Sequence, residues 1–284
     1  MTWYTSLSNP VKTKTTACHS GSFLYSEKDI YHIIHYMYQQ ILEEIQHIGN
    51  DIHQYAWQVT DIWKAKQRLT EHDIATERRL CSFIKTLDQD AAFFAEEEND
   101  QLSHNTKSIW IIDPISNTFN FIHGLPHYTI CVSHMVDEII HFAAVYDPST
   151  QELFSAEKWK WAYLNWKKIS VSQKTSDLWI IIWPHLVPKN PKNSELINII
   201  TTFSELGTIR IIWSLWIHYA YVACGRVEAA ISLSKDIFPE MAWRLLVEEA
   251  WGKFTDFDNQ DIWFETRKII ASNWLIHNTI LENL

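Results

Sequence analysis

Two segments gather oxygen-bearing side chains beside short apolar runs. In FFAEEEND, Glu96, Glu97 and Glu98 follow a run that reads as a buried strand. In WIIDPISNTFNFIHGLPH, a strand ends at Asp113, the chain turns through Pro114, and Ser116, Asn117 and Thr118 open a helical turn. A carboxylate at a strand end beside an acidic turn suits a hard divalent cation, because Mg²⁺ takes oxygen ligands and keeps several waters. A helix starting after Ser116 leaves the N–H groups of Asn117 and Thr118 without helical partners, and such groups hold phosphate. Each piece alone is also ordinary turn chemistry: acidic triplets sit in solvated loops, and D-P-x-S-N-T is rich in turn formers.

The elements that would position these residues follow from periodicity. Residues 28–48 carry Ile30, Ile33, Ile34, Met37, Ile41 and Ile45 at helical spacing, with Gly49 and Asn50 read as the stop. Residues 70–87 form a second amphipathic helix with Thr70 as its cap. Short strands follow at 91–94, 108–113, 128–136 and 139–147, with hairpins at Asp137-Glu138 and between ELFSAE and WAYLN. Beyond residue 178 strands and helices alternate: strands at 178–182, 209–212 and 227–233, helices at 194–206, 216–225 and 240–250. The expected organisation is an irregular extension over 1–27, an α+β half over 28–177 and an α/β half over 178–284, sharing one continuous fold.

Composition narrows the partners. A net charge of −10 disfavours the phosphate backbone of a nucleic acid. No apolar run approaches the roughly 18 residues that span a bilayer, and the first 20 residues lack the apolar core of a signal peptide. The four cysteines (Cys18, Cys81, Cys131, Cys224) form no CxxC pair, which argues against a zinc site or disulfide framework. The 14 histidines form no HxH or HExxH pattern and read as surface or satisfied core residues. The expectation is a cytoplasmic protein with no membrane or nucleic-acid partner.

DPISNTFNFIHGLPHYTICVSHMVD resembles the signature of the inositol monophosphatase family, W-x-x-D-P-[IL]-D-G-T-x-N-F-x-H-G-x-P. RLTEHDIATE at 68–77 resembles the family's V-T-x-x-D-x-x-x-E, and FFAEE at 93–97 its F-[IL]-G-E-E. The segments at 156–172, 225–257 and 271–277 resemble its G-x-G-A hairpin, its closing metal-site helix and its terminal strand, so the likeness runs in order from about residue 28 to 284. It implies a layered αβαβα sandwich of the inositol monophosphatase and fructose-1,6-bisphosphatase type, and a Mg²⁺-dependent, lithium-sensitive phosphomonoesterase that commonly forms homodimers. By the same resemblance Glu96 and Asp113 are carboxylate ligands of the first metal, Glu96 thereby belonging to the catalytic set, and the Ile115 carbonyl is a third ligand. Asp73 and Thr118 orient and deprotonate the attacking water, the Asn117 and Thr118 amides hold the phosphate, and Ser214 and Ser232 face the substrate.

Three departures fall within that pattern. The signature's second Asp, a ligand of the second metal, is Ser116, and the following Gly is Asn117. The W-D before the last core helix aligns to Phe238-Pro239, so another second-metal Asp is Pro239; Glu240 or Asp236 is the nearest substitute, and adjacent helical side chains diverge by about 100°. The Glu that touches inositol hydroxyls in many members aligns to Ser232. The resulting expectation is a phosphatase for a small polyol or sugar monophosphate with an impaired second metal site. The alternatives are a weak or inactive homologue serving as a ligand-binding or protein-interaction scaffold, and a phosphatase for nucleotide or fructose phosphates.

The chain holds 6 glycines and 15 tryptophans, where about 20 glycines are usual at this length. Trp159, Trp161, Trp166, Trp213, Trp243, Trp251 and Trp274 align with positions that are usually glycine in the family, whereas Trp110 falls where the family favours Trp. UGA codons that some bacterial lineages read as glycine, translated here as tryptophan, would leave this pattern. The alternative is a Trp-rich core or aromatic surface, in which Trp213 and Trp243 crowd the substrate pocket.

Overall fold

The computed structural model describes residues 27–62, 69–98, 108–183, 193–212, 214–233, 237–262, 266 and 268–284. The expected extension over 1–27 lies almost wholly outside them.

Two helices open the fold, α1 (Glu27–His53) and α2 (Glu71–Leu87). Thr70 caps α2 in a capping box: its hydroxyl accepts from the His72 amide while its own amide donates to the Asp73 carboxylate. α1 does not stop at Gly49. A Cβ there would lie 2.5 Å from the Tyr146 ring, so this glycine lets the helix approach the sheet rather than ending it.

Strands β1 (Ala92–Ala95) and β2 (Ser108–Ser116) pair in parallel, and the six-residue α3 (Thr118–His123) follows. β2 runs on past Asp113 through Pro114 to Ser116, with a register shift between Asp113 and Ser116, where the sequence predicts a turn. β3 (Thr129–Val136), β4 (Ile139–Asp147), β5 (Glu152–Glu157), β6 (Ala162–Leu164) and β7 (Lys167–Lys168) continue an antiparallel meander, completing a seven-stranded sheet in sequence order. The β3–β4 hairpin turns at Asp137 and Glu138, both at positive φ, as a two-residue turn requires.

The second half comprises β8 (Leu178–Trp183), α4 (Asn193–Leu206), β9 (Gly207–Arg210), α5 (Leu215–Ala223), β10 (Ala229–Ser232), α6 (Ile237–Glu249), β11 (Gly252–Asp256), β12 (Ile269–Asn273) and α7 (His277–Glu282). Its five strands order as β11-β12-β10-β8-β9. β9 begins at Gly207 rather than 209, and α6 begins before Pro239 rather than after it.

Three apolar clusters define five layers. The α1 residues Ile41 and Ile45 pack with Trp110, Ile112, Val132 and Phe142 on one face of the larger sheet. The opposite face, with Ile109, Ile111 and Val145, meets Ala220 of α5 and Leu246 of α6, which also cover Ile181 and Ala230 of the smaller sheet. Beyond that sheet lie Leu196 and Phe203 of α4 and Ile280 of α7. The order is helix, sheet, helix, sheet, helix: the αβαβα sandwich. Among the described residues no helix is long and apolar enough to cross a membrane.

Candidate active site

Of the expected site residues, Asp73, Glu96, Asp113, Ile115, Ser116, Asn117 and Thr118 lie where α2, the end of β1, the end of β2 and α3 meet. Asp73 occupies the first turn of α2 and is almost wholly buried. Its Oδ2 accepts from the Thr70 amide at 2.7 Å and the Thr70 hydroxyl at 2.6 Å, and its Oδ1 faces Thr118 Oγ1 at 3.1 Å. Burial raises the Asp73 pKa to about 6, against the lowering pull of these hydrogen bonds. Thr118 Oγ1 also lies 3.0 Å from the Ile115 carbonyl. One hydroxyl proton is thus shared between Asp73 and Ile115, tying α2 to the β2–α3 junction.

Glu96 continues β1, and its amide donates to the Ile112 carbonyl at 3.2 Å. The parallel register pairs Ala95 with Ile112, so one step further Glu96 stands beside Asp113. Asp113 is 3% exposed. The three glutamates have separate fates. Glu98 forms a two-pronged ion pair with the exposed Arg78, while the amides of Glu97 and Glu98 both donate to the fully buried Glu77 carboxylate, at 2.7 and 3.0 Å. Glu77 lies one helical turn beyond Asp73, so one face of α2 fixes both the carboxylate at Thr118 and the turn that carries Glu96. Sequence reasoning gave Glu77 no role, although it is the final Glu of T-x-x-D-x-x-x-E.

Asn117 adopts φ 65°, the left-handed conformation for which the family has glycine and which Asn tolerates best among other residues. Its side-chain amide donates to the His127 carbonyl at 3.1 Å. The loop beyond α3 is secured by Asn120, which donates to the Pro126 carbonyl at 2.6 Å, and by His127 Nδ1, 2.9 Å from the buried Asp147. Ser116 Oγ is buried with no hydrogen-bond partner among the described residues. Ser214, at the start of α5, is likewise buried with an unpartnered hydroxyl among them. Ser232, fully buried, ends β10 in the second sheet. Side chains at 237–241 lie outside the described residues, and with them the Pro239 departure and the Glu240 substitute; Asp236 and Trp213 lie outside as well.

Two carboxylates on neighbouring strands, a carbonyl and retained waters fit one hard cation such as Mg²⁺. Among the described residues no group of three or more Asp, Glu, His or Cys side chains is assembled. Ser116 contributes only a neutral hydroxyl to this corner.

The five-layered sandwich thus brings a carboxylate pair, a buried Asp–Thr couple and a short helix to one junction, an arrangement suited to phosphomonoester chemistry. A sequence model of the inositol monophosphatase family matches residues 34–284, and the chain belongs to that family. It is 28% identical over 222 residues to the fructose-1,6-bisphosphatase/inositol-1-monophosphatase of Thermotoga maritima, covering 76% of this chain and 82% of that protein. It is 32% identical over 192 residues to the Nus factor SuhB of Escherichia coli, covering 66% and 72%. Among solved structures, the extragenic suppressor protein SuhB of Bartonella henselae superposes with a TM-score of 0.78 at 23% identity, covering 89% of this chain and 98% of that one.

Proposed function

We propose that this chain is a Mg²⁺-dependent phosphomonoesterase for a small polyol or sugar monophosphate, with one competent metal site and an impaired second. The observation that carries this reading is the Asp73–Thr118–Ile115 hydrogen-bonded couple, held beside the Glu96–Asp113 carboxylate pair. Glu96, Asp113 and the Ile115 carbonyl would hold the ion. Once bound, Mg²⁺ would supply charge neutralisation at the phosphate and acidify a coordinated water.

The chain's own residues do the rest. Thr118 donates its proton to Asp73, leaving an oxygen lone pair that accepts a proton from the attacking water and aims that water at phosphorus. Asp73 is the proton acceptor at the end of this couple; as the water oxygen bonds to phosphorus the ester P–O bond breaks, and the leaving alcohol oxygen takes its proton from solvent. The Asn117 and Thr118 amides orient the phosphate oxygens, and Ser214 and Ser232 face the organic part of the substrate. Ser232 in place of a carboxylate weakens the preference for inositol hydroxyls, so nucleotide and fructose phosphates belong among the candidate substrates. Assembly as a homodimer in the cytoplasm completes the reading.

One observation favours a second function. Ser116 replaces a metal carboxylate, and several relatives at about this level of identity are named as Nus factors. A family member that has lost part of its metal site can persist as a binding scaffold.

Mg²⁺-dependent phosphate release from inositol 1-phosphate, fructose 1,6-bisphosphate and a nucleoside monophosphate, with an Asp73→Asn control, tests the proposal. Turnover of at least one substrate that Asp73→Asn abolishes supports the enzyme. Release from none of them supports the scaffold.

A further inference from the structure

Five tryptophans hold a backbone conformation that a bulky residue rarely takes. φ is 64° at Trp57, 65° at Trp159, 87° at Trp161, 66° at Trp166 and 68° at Trp251. In this region the Cβ of an L-residue crowds its own backbone, so glycine is the default and Asn or Asp the usual substitute. Of the eight other non-glycine residues found there, five are Asn or Asp (Asn117, Asp137, Asn165, Asp177 and Asn259) and three are the polar His127, Glu138 and Gln151. Among the described residues no Phe, Tyr, Leu, Ile or Val adopts it. Tryptophan is thus the one large apolar residue type so placed among the described residues.

At two of the positions the turn or cap chemistry itself asks for glycine, and at the other three the backbone is held by amide hydrogen bonds in the glycine-favouring region. Trp166 follows Asn165, at φ 44°, in the two-residue turn joining β6 and β7, so Asn-Trp occupies the place of the Asn-Gly pair of a type I′ hairpin. Trp251 lies two residues past the end of α6, at the left-handed position that commonly closes a helix with glycine. The amides of Trp159 and Trp161 wrap the Glu249 carboxylate, donating to its two oxygens at 2.7 and 3.0 Å. The Trp57 amide donates to the Phe121 carbonyl at 2.9 Å, where two backbones pass closely enough that a Cβ on Gly124 would stand 2.8 Å from that of Trp57.

Burial gives these indoles little in return. Trp57 is 72% exposed, Trp159 67% and Trp251 62%. Trp110 is the contrast: it is fully buried, stacks on His134 with ring centroids 4.1 Å apart and donates its indole N–H to Asp88 at 3.1 Å. Trp243 belongs to neither group. It is helical and buried against Phe154 and Tyr219, packed into the core, so its backbone does not assign it.

We propose that the native chain carries glycine at positions 57, 159, 161, 166 and 251, each encoded by UGA and read as glycine in the source cell, while Trp110 is a true tryptophan encoded by UGG. The exposed indoles at 159, 161 and 251 are then not a docking surface of the native protein. Position 57 enters the set through its backbone alone.

The test reads the codons of the source gene and compares two recombinant chains. One is the sequence as given; the other carries Trp57→Gly, Trp159→Gly, Trp161→Gly, Trp166→Gly and Trp251→Gly. UGA at the five positions with UGG at 110, and a melting temperature about 10 °C or more higher for the glycine chain, are the expected results. A glycine chain that folds where the tryptophan chain does not also supports the proposal. UGG at three or more of the five, or a glycine chain no more stable than the tryptophan chain, overturns it. Peptide masses from source cells decide independently, with tryptophan at these sites overturning it and glycine supporting it.

Discussion

Thr118 Oγ1 lies 3.1 Å from Asp73 Oδ1 and 3.0 Å from the Ile115 carbonyl, so a single hydroxyl joins the first turn of α2 to the end of β2. The couple makes Asp73 the most consequential side chain of the site. Asp73→Asn keeps the volume but removes the proton acceptor, and phosphate release is expected to fall by about 10²–10⁴-fold. The fold should survive the change, because the cost of burying a carboxylate disappears with it. Steady-state kinetics beside a thermal melt checks both parts.

The pH dependence follows from the same residue. Burial raises the Asp73 pKa to about 6 in the metal-free protein, above its unfolded value of about 4. The folded chain therefore holds this proton more tightly than the unfolded chain. The associated stability is fully present below pH 4 and is lost as pH rises through 6. Wild-type metal-free protein should lose melting temperature across that window relative to Asp73→Asn. The activity limb has the opposite sign, because protonated Asp73 accepts no proton from Thr118. The difference in melting temperature between the two chains, followed from pH 4 to 7 in chelator, measures the first effect.

Glu77 accepts the amides of Glu97 and Glu98 and so fixes the turn beside Glu96. Glu77→Ala should weaken Mg²⁺ binding by roughly 10-fold or more, as loss of an outer partner of a metal ligand commonly does. Glu77→Gln retains one acceptor oxygen and should recover part of the loss. Calorimetric titration of Mg²⁺ into the three proteins separates these outcomes.

Gly49 carries a purely structural prediction. An added Cβ would meet the Tyr146 ring at 2.5 Å, and overpacking of this kind costs about 1–3 kcal/mol. Gly49→Ala should therefore unfold at lower denaturant despite the higher helix propensity of alanine, as a urea melt would record.

The parts of the fold readable from sequence were those in which local chemistry and tertiary context agree. Thr70 and Asp73 form the capping box that their spacing implies, and the Asp137-Glu138 hairpin falls where the strands predict it. Gly49 was misread as a stop because its reason for being glycine lies in Tyr146, almost a hundred residues away. Pro114 reads as a turn in the sequence, yet β2 continues through it with a register shift, because Ser116 pairs again with Thr129 of β3 after pairing to β1 has ended at Ile112. Local spacing also said nothing of Glu77, whose partners are amides 20 and 21 residues on. At Asn165-Trp166 residue type alone hides an Asn-Gly turn, and the family resemblance, which places glycine at 166, agrees with the positive φ found there.

The central claim is a working phosphatase centre that lacks carboxylates for a second metal. Its most direct test is phosphate release from inositol 1-phosphate as a function of Mg²⁺ concentration, for the wild type and for a Ser116→Asp/Pro239→Asp double variant. The account predicts measurable, Mg²⁺-dependent wild-type turnover and an increase of about 10-fold or more when both carboxylates are restored. Absence of Mg²⁺-dependent release from the wild type, whether or not the double variant is active, would contradict it.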